Sequence, residues 1–185
     1  MKMMKIERII FWTVTLLMSV GTVILFIEED TTKGFMGVLT CASLLAIGVW
    51  QWKAKKALDA SLMIITYLFI FISIGIGTFS GGYAIKHFDD FLHVTSGIWL
   101  GYAALVLTKQ MIGNELTQKL PKAFLAGIMV IFALGSAGAW ELLEFAGDQL
   151  FHFTAQGRDP KDTMFDMMDG LIGGILSAVF YLIKK

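Results

Sequence analysis

Three short stretches of this sequence hold most of the side chains able to bind a metal ion or pass a proton. They are Asp89 and Asp90 with His93, Glu141 and Glu144 with Asp148, and Asp162 and Asp166 with Asp169. An α-helix turns about 100° per residue, so residues spaced i, i+3, i+4 and i+7 share a face. Glu141, Glu144 and Asp148 therefore form one stripe, and Asp162, Asp166 and Asp169 form another. Asp89 and His93 are i, i+4 neighbours, and their stripe continues through Gly97 and Gly101. That G-x-x-x-G pair lets a second helix approach closely. One imidazole among carboxylates from facing helices is a ligand set that helix bundles use for divalent metals. Imidazole with carboxylate suits Zn, Mn or Fe, whereas all-oxygen ligation suits Mg or Ca.

The expected ligands of a divalent metal ion are His93, Glu141, Glu144, Asp162 and Asp166. Asp89 is expected to orient His93 as an acceptor behind it, with Asp169, Thr163 and Arg158 in supporting positions. An open coordination position would let bound water attack a lipid or lipid-linked substrate. Two other readings fit the same residues. Paired carboxylates could carry protons or cations in a coupled transporter. They could instead form a structural polar network with Thr163, Ser96, Gln149 and Tyr83, with Lys86 and Arg158 neutralising part of the charge. His87 and His152 read as loop or interface residues, and the methionines as packing or lipid-facing. The sequence has no nucleophile elbow, P-loop or H-E-x-x-H.

The elements that must position these residues are membrane helices. The chain has 185 residues, of which 56% are hydrophobic and 16% charged, and its mean hydropathy is +0.71. A soluble domain carries about 25% charged residues. Six apolar segments are long enough to cross a bilayer core of about 30 Å: roughly Ile9–Ile27, Phe35–Trp52, Leu58–Phe79, Phe88–Thr108, Ala123–Phe145 and Pro160–Ile183. They predict an all-α bundle, residues 1–185 forming one polytopic membrane domain. Continuous apolar runs exclude the ten-residue alternation of a transmembrane barrel. The first segment is too long for a signal-peptide core and runs into Glu28-Glu29-Asp30 with no cleavage-type motif, so it reads as retained. Lys+Arg and Asp+Glu both total 15, giving zero net charge. No basic excess points to nucleic acid. Cys41 is the only cysteine, so no internal disulfide can form.

Loop charge sets an expected orientation. Lys2, Lys5 and Arg8 precede the first segment; Lys53, Lys55 and Lys56 follow the second. Lys109, Lys119 and Lys122 follow the fourth, and Lys184-Lys185 end the chain. Lys and Arg mark the cytoplasmic side, which places both termini in the cytoplasm and the acidic stretches at the outer leaflet. Helices one to three read as apolar scaffold. Helices four to six are different. From Gly170 to Ile183 the helix offers only about 21 Å of apolar length against a core of about 30 Å. Asp169 and Asp166 are thereby drawn into the hydrocarbon layer, and His93 similarly on the fourth helix. Ionisable groups at such depth must be paired, protonated, hydrated or metal-bound. Asp159-Pro160-Lys161-Asp162 reads as an N-cap followed by proline at the first helical position.

Three stretches then carry a family resemblance: F-D-D-F-L-H-V-T-S-G from Phe88 to Gly97, W-E-L-L-E from Trp140 to Glu144, and Q-G-R-D-P-K-D-T-M-F-D-M from Gln156 to Met167. They resemble the YjdF-like family of bacterial multi-pass inner-membrane proteins, with a looser likeness to VanZ-type membrane proteins. Val94 stands where an aromatic residue usually follows the histidine. The resemblance implies a polar signature at Asp89, His93, Glu141, Asp162, Thr163 and Asp166, and a bacterial inner membrane as the site. It implies fold and placement, and no reaction. Membrane lipids are the expected partners.

Overall fold

The first unit, Met1–Phe88, is built on α1 (Lys2–Ile27), α2 (Thr31–Lys53) and α3 (Ala60–Ile70), the last continued by a π-helical segment Phe71–Phe79 and a short 3₁₀ turn at Gly82–Ala84. The second unit, Asp89–Lys185, contains α4 (Phe88–Ile112, whose first residue belongs to the first unit), the short α5 (Asn114–Lys119), α6 (Lys122–Phe151) and α7 (Pro160–Ile183). This computed structural model describes residues 2–54, 57–151 and 160–184. Lys55, Lys56, His152, Gln156, Arg158 and Asp159 lie outside the described residues, and with them the expected N-cap and the expected support from Arg158. Among the described residues there are no strands. Six helical spans are long and apolar enough to cross a membrane: Met3–Ile27, Thr31–Lys53, Ala60–Phe79, Phe88–Ile112, Lys122–Leu150 and Lys161–Ile183.

Local chemistry sets the ends of these elements. The Asp30 carboxylate accepts from the Lys33 backbone N–H at 3.2 Å and caps α2. Asp59 caps α3 by accepting from Ser61 and Leu62 N–H at 2.9 and 3.3 Å. Each cap satisfies amide donors that a helix start leaves unpaired. Gln51 closes the turn between α2 and α3: its Nε2 donates to the Leu58 carbonyl at 2.9 Å, and its Oε1 accepts from Leu58 N–H at 3.0 Å. The third span, read from sequence as one regular helix, is wider-wound from Phe71 onward. There Ser80 returns both its N–H (3.2 Å) and its hydroxyl (3.0 Å) to the Gly75 carbonyl. Gly81 and Gly113 adopt left-handed φ values of 74° and 86° at turns where a side chain would be strained.

Lipid removes most of the hydrophobic drive between helices, so close packing of small residues takes over. In the first unit Gly48 on α2 receives the Phe11 ring and Gly37 receives Thr22, so α1 and α2 run antiparallel. Phe11, Val14, Met18, Leu44, Met63 and Tyr67 form the core of this unit. Large apolar residues such as Leu16, Phe35, Ile131 and Leu142 are exposed, as lipid-facing positions are in a membrane bundle. Thr22 and Thr108 hydroxyls donate to the carbonyl one turn back at 2.7 and 2.8 Å, so they add no unmet polar group.

Candidate metal centre

The glycines of α4 and α7 set the geometry of the acidic cluster. A Cβ on Gly97 would run into the Gly170 carbonyl oxygen, and one on Gly173 into the Val94 carbonyl oxygen. Gly101 lies in turn against Ser177 and Gly174. Contacts advance together along both segments, so α4 and α7 are parallel and nearly backbone to backbone. α6 is antiparallel to α7, with Ala137 against Gly170 and Ala133 against Gly174. One turn beyond this seam stand His93 on α4, Asp166 on α7 and Glu141 on α6. The small-residue seam is what lets the side chains of α4 and α7 meet there, within electrostatic reach of Glu141 on α6.

His93 lies between two carboxylates. Its Nε2 is 3.7 Å from Asp89 Oδ1 and 3.8 Å from Asp166 Oδ1. Both separations exceed hydrogen-bond length. Ligands sharing an ion through bonds of about 2.1 Å sit about 3.0–3.4 Å apart, so a contraction of less than about 1 Å would bring either carboxylate to ligand spacing from His93. The ligand atoms of Asp89, His93 and Asp166 all lie within 4.8 Å of one another, and so do those of Asp90, Asp166 and Asp169. Asp166 belongs to both groups and is buried. The His93 side chain is 11% exposed, while that of Asp89 is about half open.

The other expected residues surround this core in different ways. Glu141 is 3% exposed; the Thr163 hydroxyl hydrogen-bonds its carboxylate, while Oε1 has no partner. Glu144 accepts from the Trp140 indole N–H at 2.7 Å. Asp162 is exposed in the first turn of α7. Glu141, Glu144 and Asp162 fall outside both close groups. Asp89, expected behind the histidine, stands in the first group, and Asp169, expected to support, stands in the second beside Asp90. Asp90 had been given no role from its spacing, because Asp89 aligns with His93 and Asp90 is turned about 100° away on an ideal helix.

Electrostatics bind the set together. Asp166 feels the negative charges of Asp89, Glu141, Asp162 and Glu144 at once. His93 is the basic neighbour that Asp89, Glu141 and Asp169 share. The positive ends of the α4 and α7 dipoles favour Asp89, Asp90 and Asp162 in their first turns. That effect fades within a turn, so it leaves Asp166 and Glu141 unaccounted for. A bound cation would offset them. Sequence reasoning missed one further buried carboxylate, Glu7 in the first unit, which is 4% exposed. Its neighbours Lys5 and Arg8 made it look like part of a solvated terminus.

No curated protein and no solved structure matches the chain. Residues 10–185 match the family described as Predicted membrane protein (DUF2238). The match covers nearly the whole chain, including both units, and with six spans of membrane length the protein belongs to this family of membrane proteins.

Proposed function

We infer that the His93 group is a divalent-metal site facing one end of the bundle, with Asp89, His93 and Asp166 as ligands and Glu141 beside them. The carrying observation is the position of His93 Nε2 between two carboxylate oxygens at 3.7 and 3.8 Å, wide for hydrogen bonds and near the spacing of ligands on one ion. Crowding of carboxylates around buried Asp166 supports the same reading. Glu144, Asp162 and Asp169 complete the negative environment, and Thr163 holds Glu141 in place. The half-open side chain of Asp89 leaves that flank of the group accessible. Metal-bound water there would act on a lipid or lipid-linked substrate of the outer leaflet.

The test is elemental analysis of protein purified in detergent without chelators. Stoichiometric divalent metal in the wild type, lost in His93→Ala, is the expected result. Absence of metal from both would overturn the reading and leave a structural polar network. For the lipid reaction, the assay is headgroup release from vesicles of defined composition, with Asp166→Asn inactive.

Proton- or cation-coupled transport is the second reading, favoured by the burial of Glu7 and Glu141, each with one unpartnered oxygen. It requires flux into reconstituted vesicles that disappears in Asp166→Asn. The loop charges support an orientation with both termini in the cytoplasm, and the resemblance to YjdF-like proteins supports a bacterial inner membrane. Labelling of single cysteines placed near the ends of α1 and α7, with Cys41 removed, distinguishes the two orientations.

A further inference from the structure

α1 carries a carboxylate that the metal reading does not use. Glu7 is 4% exposed and its Oε1 has no hydrogen-bond partner. Gln51 hydrogen-bonds the same carboxylate, and Gln51 is itself fixed by its paired bonds to Leu58. The hydroxyl of Tyr67, a residue with 0% exposure, also lacks a partner, as does the buried Trp52 Nε1. The charge of Glu7 reaches the Tyr67 phenol. The Tyr67 and Trp52 rings both pack edge-on against Phe11, with centroids 5.3 and 4.9 Å away. Phe11 lies one helical turn beyond Glu7. An unpartnered acceptor on α1 thus stands one turn from Phe11, whose ring touches the two rings that carry an unpartnered hydroxyl and an unpartnered N–H.

Buried polar groups are almost always paired, and polar groups held just beyond direct reach of one another are commonly joined by water. The identity of the guest follows from counting. A divalent cation of the hard class takes about six or more oxygens, whereas the buried oxygens of the first unit without a partner, among the described residues, are Glu7 Oε1, Tyr67 Oη and, further along α1, Thr15 Oγ1; Gln51 Oε1 already accepts from Leu58 N–H. An anion is repelled by Glu7. Arg8 does not supply the missing bond, since its guanidinium lies over the Trp52 ring, 5.5 Å from the centroid. Asp59 is engaged as the cap of α3. One small molecule that donates to a carboxylate and accepts from a phenol or indole meets the requirement. We propose that Glu7, Tyr67 and Trp52 enclose a buried water site in the first unit, seated on the carboxylate that Gln51 holds. The site is independent of the proposed metal centre.

X-ray radiolytic labelling of the full chain in lipid nanodiscs reads this directly, because radicals formed from a captive water modify the side chains beside it. Tyr67 is expected to label several-fold faster than Phe11, which is 1% exposed. Glu7→Met should abolish the excess, while Glu7→Gln, which keeps an amide able to hold water, should retain most of it. Equal rates at Tyr67 and Phe11 in the wild type would overturn the proposal, and so would an excess that survives Glu7→Met. Should Glu7→Met fail to fold, the wild-type ratio and its retention in Glu7→Gln decide, loss of the excess in Glu7→Gln counting against the site.

Discussion

Glu7 in the first unit and Glu141 in the second are buried to the same degree, at 4% and 3% exposure. Each is held by a neutral neighbour, Gln51 or Thr163, and each leaves Oε1 unpartnered. Their surroundings differ. Glu7 sits among aromatic rings, beside the fully buried Tyr67. Glu141 sits among further carboxylates and a histidine. An isolated buried carboxylate needs hydrogen bonds, which water supplies. A crowded one calls for positive charge, which on the proposed reading a divalent cation supplies. Similar burial of the same residue type therefore supports different ligands, and the neighbours decide which.

The helix seams differ in the same manner, and this is where the comparison breaks most severely. On Gly97 a new side chain meets the Gly170 backbone, whereas on Gly48 it meets the Phe11 ring. A ring can move, but a backbone carries its helix with it. Gly97→Val should therefore lose the assembled second unit, exceeding the ordinary overpacking cost of about 1–3 kcal/mol, with Gly48→Ala near that range. Thermal unfolding in detergent checks the order; equal losses would show that the two seams are equivalent.

Next in size are the ligand substitutions. Asp166→Asn should weaken metal binding by at least the roughly 10–100-fold typical of groups supporting a site, and Glu141→Gln should fall within that range. Glu7→Gln should leave metal affinity unchanged. Titration calorimetry with Zn or Mn tests all three, and a matching loss in Glu7→Gln would erase the distinction between units. Gln51→Leu should cost the first unit about 1–3 kcal/mol by leaving the Leu58 backbone and Glu7 without partners, with metal affinity retained. Thermal unfolding and calorimetry of the same variant separate these outcomes.

The smallest effect belongs to the exposed cap of α2. The Lys33 backbone N–H, and then its side chain, hold the Asp30 carboxyl below its ordinary value of 3.8. A lowered folded value means that the cap stabilises fully above the unfolded pKa and loses its contribution as pH falls through the folded one. The difference in Tm between wild type and Asp30→Ala should accordingly be present at neutral pH and shrink as pH falls below the ordinary value of 3.8. A constant difference would show that the charge on Asp30 is irrelevant to the cap.

Much of this was legible in the residues. Gly97 and Gly101 were read as a packing face, and the structure supplies the opposing Gly170, Gly173 and Gly174. His93 and Asp166 are expected from sequence as ligands of one ion, and the structure sets His93 Nε2 3.8 Å from Asp166 Oδ1. Asp89 was placed behind the histidine and instead stands in the close group, because spacing on one helix fixes direction but not distance to the next. Glu7 was invisible as a buried group. Among charged terminal residues, its stripe through Phe11, Val14 and Met18 reveals burial only once α2 and α3 cover that face.

The sequence by itself determined the membrane class, the six spans and the stripes along each helix, since apolar length and a fixed turn per residue are properties of one segment. Tertiary structure alone decided which stripes meet. That depends on how closely backbones approach, and here the glycine seam of α4 and α7 brings Asp166 to His93. It also decided that the first unit, read as apolar scaffold, closes over a carboxylate, because burial of Glu7 is produced by residues on helices distant in the chain.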